Sequence, residues 1–279
     1  MEQLARLRTR LKTLIELGDI IVAMRALAAA ALQEARRALP AVRRYAGLLE
    51  SGISDVAAML DATAEPAPAN NNGEMKTICI IGSEHGFVGD LNAELLTGVD
   101  IPGASRLIVV GRRLQLTAAE RGLPVAAALP MTTHVAGIPL LARKIAECVG
   151  TATHVHLAAV KHDPRKAAVQ AQSRQVLPVK LPEFGARTSP PPFCQLETQE
   201  LLTELAGEYL LVEISRALIE ALAEENQIRL GVLTAASQNI SNKLEELGRK
   251  ERTLRQETIT TDLLDVVVGA EAVIESEGG

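Results

Sequence analysis

The sequence has no Trp, two Tyr (Tyr45, Tyr209) and three Phe (Phe87, Phe184, Phe193). Where rings are scarce, Ala and Leu are abundant and Glu and Arg carry most of the charge, a bias that favours long helices over sheets. Cysteine is nearly absent as well: Cys79, Cys148 and Cys194 lie far apart with no CxxC pair or metal spacing, which argues against an oxidised framework or a zinc site. A reducing cytoplasmic compartment is the default expectation. There is no basic excess. The formal net charge is −5, so the electrostatic argument for nucleic acid fails and protein partners are expected instead. No stretch approaches the roughly 18 uncharged apolar residues of a transmembrane helix. Arg6, Arg8, Arg10 and Lys12 alternate with leucines near the N-terminus, but no apolar core with a small-residue cleavage site follows, so the segment does not read as a secretory signal.

Phosphate and catalytic motifs are missing too. Gly82, Gly86 and Gly89 follow a candidate strand, yet no Lys-Ser or Lys-Thr completes GxxxxGK[ST], and GxGxxG and GxSxG do not occur. His154 and His156 share one face of a candidate strand with His162 nearby, but no Cys or acidic cluster completes a metal set. Glu84 and His85 are neighbours on an extended chain, where adjacent side chains point apart, so an acid–base pair is not expected. No cofactor and no catalytic residue is assigned.

What is present is a change of rhythm along a chain of 279 residues that is 47% hydrophobic, enough for one large domain or two small ones. Two proline-rich stretches, Asp61 to Glu74 and Pro178 to Phe193, read as linkers. Between them KTICIIG (Lys76 to Gly82) and RLIVVG (Arg106 to Gly111) are short, β-branched apolar runs closed by Gly, as buried parallel strands are, and HVHLAAV (His154 to Val160) reads as a third. Helices fit near Asp90 to Leu96, Gln115 to Arg121 and Pro139 to Val149, which gives a compact Rossmann-like α/β insert.

The flanks are helical. From Leu202, steps of three and four residues land on Leu205, Tyr209, Val212, Ile219, Ala223, Leu230, Leu233, Ile240, Leu244, Leu247 and Leu254, interrupted by Arg216, Asn226, Ser237, Glu251 and Thr258. No proline follows Pro192. Gly207, Gly231 and Gly248 each weaken a helix by about 1 kcal/mol relative to Ala, which packing along the seam can offset. One helix from Thr198 to Ile274 would be roughly 110 Å long, so part of it is expected to project. The N-terminal segment shows the complementary seam, with Leu4, Leu7, Leu11, Leu14, Ile21, Ala28, Leu32, Ala35 and Leu39 apolar and Gly18 and Arg25 as interruptions. Two such helices separated by an insert pair as an antiparallel coiled coil. Pro40 is expected to bend the first of them or to mark a local irregularity. ALAAAAL (Ala26 to Leu32) is small on every face, consistent with close helix packing or with a slender rod that turns in a sleeve. The expected divisions are an N-terminal helix over 1–60, a linker over 61–74, the insert over 75–177, a linker over 178–197 and a C-terminal helix over 198–279.

RQETITTDLLDVVVGAEAV (Arg255 to Val273) closely resembles the signature of the gamma-subunit family of F-type ATP synthases, and IRLGVLTAASQNISNKLEEL (Ile228 to Leu247) resembles the segment before it in the same register. AMRALAAAALQEARRA (Ala23 to Ala38) is similar to the family's Ala-Met and Ala-rich turn, although Asp19 to Val22 replace its usual lysines and Arg44-Tyr45 its Pro-Tyr. GSEHGFVGDLNAELL (Gly82 to Leu96) matches the family's strand-end loop closely only at Ser83, Gly86, Gly89 and Asn92, which suggests a divergent, ion-specialised branch.

The resemblance implies a non-catalytic central rotor stalk that couples ion flow through a membrane ring to ATP synthesis or hydrolysis in an alpha/beta head. The implied partners are the alpha and beta subunits, the epsilon subunit and the ring of c subunits, at the cytoplasmic face of the cell membrane without a span of its own. Met24, Arg255, Gln256, Thr260 and Asp262 are the positions it implies for contact with the head. The mixed-charge face of Lys243, Glu245, Glu246, Arg249, Lys250, Glu251 and Arg252 either adds asymmetry to the rod or is simply solvated. Two readings compete. A coiled-coil scaffold or signalling protein with a receiver-like insert needs an acidic phosphoacceptor at a strand end, where Lys76 to Gly82 has none. A small α/β hydrolase or transferase with helical extensions needs a nucleophile with its base.

Overall fold

A computed structural model describes residues 2–59, 76–103, 105–163, 168–179 and 195–277; for 162, 163, 168, 169, 265 and 269–277 it describes the backbone alone. The expected linker over 61–74, most of the one over 178–197, and Cys194, Phe184 and Phe193 lie outside the described residues. The chain divides into two compact units, Ala28–Leu230 and Met1–Leu27 with Gly231–Gly279.

The elements follow the order α1 (Glu2–Ala57), β1 (Thr77–Ile81), α2 (Leu91–Gly98), β2 (Arg106–Val110), α3 (Arg112–Glu120), β3 (Val125–Leu129), a 3-10 turn (Val135–Gly137), α4 (Ile138–Val149), β4 (Val155–Asp163), β5 (Ala168–Leu177) and α5 (Thr198–Glu277). Helix α1 is unbroken through Pro40. An interior proline costs about 3 kcal/mol in a helix. Here the ring faces solvent while Leu39 and Val42 beside it pack against the core, so tertiary contacts hold the turn.

In the unit Ala28–Leu230 a five-stranded sheet has the order β3-β2-β1-β4-β5. Strands β1 to β4 are parallel, and β5 runs antiparallel to β4. Side chains alternate across β1. Ile78 and Ile80 join Leu91 and Leu95 of α2 and Leu114 and Ala118 of α3 on one face. Cys79 and Ile81 join α4 (Ile138, Ile145), α1 (Ala35, Leu49, Ile53) and α5 (Ile214, Leu218, Leu222) on the other. Because both faces are covered, a central strand has no polar side to show, which explains the unbroken TICII and LIVV runs. Strands β3 and β5 escaped the sequence reading: both are edges, and VAAAL and AVQAQSRQVL carry few β-branched or aromatic residues.

Gly111 closes β2 onto α3 at φ 109°, and a Cβ there would sit 2.6 Å from the Ser83 carbonyl oxygen, so no larger residue fits without displacing backbone.

Within this unit α1 and α5 run antiparallel. Arg36 donates to Gln227 (2.9 Å), Arg43 pairs with Glu220 (3.0 Å), and the Tyr209 hydroxyl donates to Glu50 (3.1 Å). Every seam position anticipated from Leu202 to Thr258, and from Leu4 to Leu39, is buried or half-buried. A period of 3.5 residues thus reports the buried stripe even where the residue on it is Arg, Asn or Thr.

Candidate functional site

The unit Met1–Leu27 with Gly231–Gly279 consists of the first part of α1 and the last part of α5. They too are antiparallel: Arg8 Nε lies 2.8 Å from Glu251 Oε1, and Arg25 donates to Ser237 Oγ at 3.4 Å. Gly18 packs where a Cβ would be 3.6 Å from Ile240 Cγ2, ordinary van der Waals contact. Ile21, Leu233 and Leu247 are buried along the seam. Apolar residues repeating at three and four positions pack the two helices together over several turns.

Among the described side chains, burial on α5 ends at Thr258. All described side chains from Ile259 to Val268 are exposed, including Ile259 (49%), Leu263 (62%), Leu264 (58%) and Val266 (69%). Val267 and Val268 are exposed as well. An isolated helix gains most of its stability from packing an apolar face, and exposed large apolar side chains gathered on one short helical stretch point to an interaction site.

Four of the five residues implied by the resemblance lie at or just inside the start of this stretch. Arg255, Gln256, Thr260 and Asp262 are all exposed on α5, and the Thr260 hydroxyl donates to the Gln256 carbonyl at 2.9 Å. With about 100° between successive residues, Arg255 and Asp262 share one stripe beside the seam, and Gln256 and Thr260 share another that faces away from it. Four directional polar groups therefore fan around one short helical segment. Met24, half-buried on α1, is not part of that fan. Its neighbour Arg25 meets Ser237, eighteen residues before Arg255 on α5, a separation of about 27 Å along a helix.

The mixed-charge face is largely self-paired. Glu246 accepts from Lys243 (2.6 Å) and Lys250 (2.7 Å), Arg249 pairs with Glu245, and Glu251 turns across the seam to Arg8. The hydrogen bonds from Lys243 and Lys250 hold the Glu246 carboxyl down to about 2. Pairs at i,i+3 and i,i+4 of this kind describe a solvated helix face.

In the other unit the loop after β1 holds the buried polar residues Ser83 and Glu84. Glu84 accepts from the backbone N–H groups of Arg112 (3.1 Å) and Met131 (2.8 Å) and pairs with Arg112 Nε (3.0 Å), so its oxygens tie strand ends together. Ser83 and Asn92 bond reciprocally beside it, with Asn92 Oδ1 accepting from Ser83 N at 3.1 Å and Asn92 Nδ2 donating to Ser83 Oγ at 2.8 Å. Buried Arg229 of α5 donates to the carbonyls of Gly86 (3.2 Å) and His85 (3.4 Å), to Asn226 Oδ1 (3.0 Å) and to buried Glu225. Burial pushes the Glu225 carboxyl above its ordinary value while Arg229 pulls it back. For Arg229 and Glu225 the sign in the sequence was their neighbour Asn226, a polar interruption of an apolar seam.

Among the described residues no three His, Cys, Asp or Glu side chains gather as a metal set, and no helix is long and apolar enough to cross a membrane. Cys79 is fully buried, and desolvation raises its thiol to about 12, which makes it unreactive.

A family model described as ATP synthase matches residues 3–273. The ATP synthase gamma chain of Anaeromyxobacter dehalogenans is 27% identical over 98% of this chain and 100% of its own length, and that of Moorella thermoacetica is 25% identical with the same coverage. Among solved structures, a chain of the Euglena gracilis mitochondrial ATP synthase (OSCP/F1/c-ring, rotational state 3) superposes with a TM-score of 0.65 at 14% identity, over 98% of this chain and 95% of that one. A chain of the same organism's rotor in rotational state 1 gives 0.58 at 13% identity, over 92% and 99%. These likenesses establish a shared fold of sheet and paired long helices. With a family match over nearly the whole sequence and gamma chains aligned end to end with it, the protein belongs to the ATP synthase family, as a gamma-chain relative.

Proposed function

We propose that this chain is the central rotor stalk of a rotary ATP synthase and that it has no catalytic site of its own. The observation that carries this reading is the set of exposed apolar side chains between Ile259 and Val268 on α5, which begins among the polar fan of Arg255, Gln256, Thr260 and Asp262. A helix with solvent-facing Leu263, Leu264, Val266, Val267 and Val268 needs a surrounding sleeve, which the alpha and beta subunits supply in this reading. The polar fan then makes contacts that differ among three beta subunits of identical sequence. Only such differential contact gives identical sites unequal affinities, because a rod that met every conformation equally would shift none. Met24 serves as a separate contact on α1.

The insert over 75–177 sits, in this reading, toward the membrane with the epsilon subunit and the c ring, at the cytoplasmic face of the cell membrane. The helices over 1–60 and 198–279 form the shaft. The Arg255 guanidinium can form a directional fork with a carboxylate, while exposure keeps the contact weak enough to release on each step. Coexpression with candidate alpha and beta subunits tests the proposal: an ATPase complex containing this chain should copurify, and the chain alone should hydrolyse no ATP. Hydrolysis by the isolated chain, or an alpha/beta head that assembles and turns over equally well without it, would overturn the reading.

A further inference from the structure

Within the unit Ala28–Leu230, a cleft of about 260 Å3 lies between the α1–α5 pair and strands β4 and β5. Five cations line it: Arg36 and Arg43 from α1, Lys161 from β4, Arg174 from β5 and Arg216 from α5. Their carboxylate partners are fewer. Buried Glu213 is shared by Arg174 (2.8 Å) and Arg216 (3.2 Å), and Glu220 by Arg216 (3.2 Å) and Arg43 (3.0 Å). Glu224 also lines the cleft and is itself engaged. Among the described side chains, Arg36 reaches only the neutral amide of Gln227, Lys161 meets no carboxylate, and Arg174 Nε is buried without an acceptor.

Such an excess of cations around a concave site is self-repelling unless an anion enters. The chain as a whole is acidic at −5, so general basicity does not account for the concentration here. Two Glu side chains hold three of the guanidinium groups in place, so the cationic wall is already ordered before a ligand arrives. Guanidinium forks match the oxygens of phosphate, and a lysine adds a point charge. The volume lies below the roughly 300–1,000 Å3 of pockets for larger organic ligands, which selects a compact one.

We propose that this cleft binds a small phosphate-bearing anion, either free inorganic phosphate or the phosphoryl group of a small phosphomonoester. Lys161 and Arg36 supply the unneutralised charge, and Arg43, Arg174 and Arg216 form the ordered wall. Binding bridges α1, the sheet and α5, so it stabilises their packing in proportion to occupancy. The site is independent of the rotor reading and stands or falls separately from it.

The test is calorimetric titration of the full-length chain with sodium phosphate and, separately, with glycerol 3-phosphate, at constant ionic strength made up with chloride. One saturable site is expected. Lys161→Glu and Arg36→Gln, exposed substitutions on two different elements, should each weaken it about tenfold or more, equivalent to about 1.4 kcal/mol. Lys161→Arg should retain it, and circular dichroism should show unchanged helix content in all three. Binding of phosphate but not glycerol 3-phosphate identifies the free ion as ligand, and equal or tighter binding of glycerol 3-phosphate identifies a phosphomonoester. No saturable binding of either, or affinity unchanged in both charge-removing variants, overturns the proposal.

Discussion

Arg229→Ala is the most informative single perturbation of the fold. The side chain is largely buried and gives hydrogen bonds to two carbonyls of the loop after β1, to Asn226 and to Glu225, which is only 4% exposed. Truncation leaves a buried carboxylate without its cation and two carbonyls without a donor. Breaking a buried pair from one side costs about 3–5 kcal/mol, and this chain should fall in that range. The pH dependence follows from the direction of the Glu225 shift. Burial already raises this carboxyl and Arg229 opposes the rise, so removing Arg229 raises it further. The folded variant then binds the proton more tightly than the unfolded chain. That contribution is fully present below the unfolded carboxylate value, near 4.3, and is lost as pH rises through the raised folded value. The gap between parent and variant should therefore be widest at neutral pH and narrow on acidification. Urea denaturation of the full chain, followed by circular dichroism between pH 5 and 8, measures it. Replacing both residues with Leu should recover at least half of the loss, because a matched apolar pair leaves no stranded charge. A midpoint for Arg229→Ala equal to the parent's, or a deficit equal at both ends of the pH range, would refute the reasoning.

Arg255→Ala should leave the melting temperature of the isolated chain unchanged, since the side chain is exposed, while slowing or uncoupling ATP turnover in the assembled complex; unchanged coupled turnover would remove Arg255 from the contact. Leu263→Asp with Val267→Asp should likewise spare the isolated chain but reduce copurification of the alpha and beta subunits, read as subunit stoichiometry after affinity capture. Gly111→Ala should destabilise the unit Ala28–Leu230 by about 1–3 kcal/mol, because φ 109° is costly for any L side chain and the new Cβ meets the Ser83 carbonyl; thermal denaturation reports it.

The sequence alone determined the features whose cause is local. The three-four spacing of Leu202 to Thr258 marked a buried stripe because a helix repeats its face every few residues. TICII and LIVV announced central strands because a strand covered on both sides has no polar face. Arg255 to Val273 carried the family likeness in one continuous segment, which also located the exposed polar fan, with Met24 the residue that lay apart from it. Only the tertiary structure decided the pairing of Arg8 with Glu251 and Arg43 with Glu220, and the edge strands β3 and β5, whose Ala- and Gln-rich sequences lean toward helix until pairing in the sheet overrides them. It alone brought Arg229 to the loop after β1, and Arg36, Lys161, Arg174 and Arg216 to one cleft. Charges on an exposed-looking stretch carry no periodic mark of the partner they meet, and contacts spanning more than a hundred residues exist only once the sheet and the helix pair have closed upon each other.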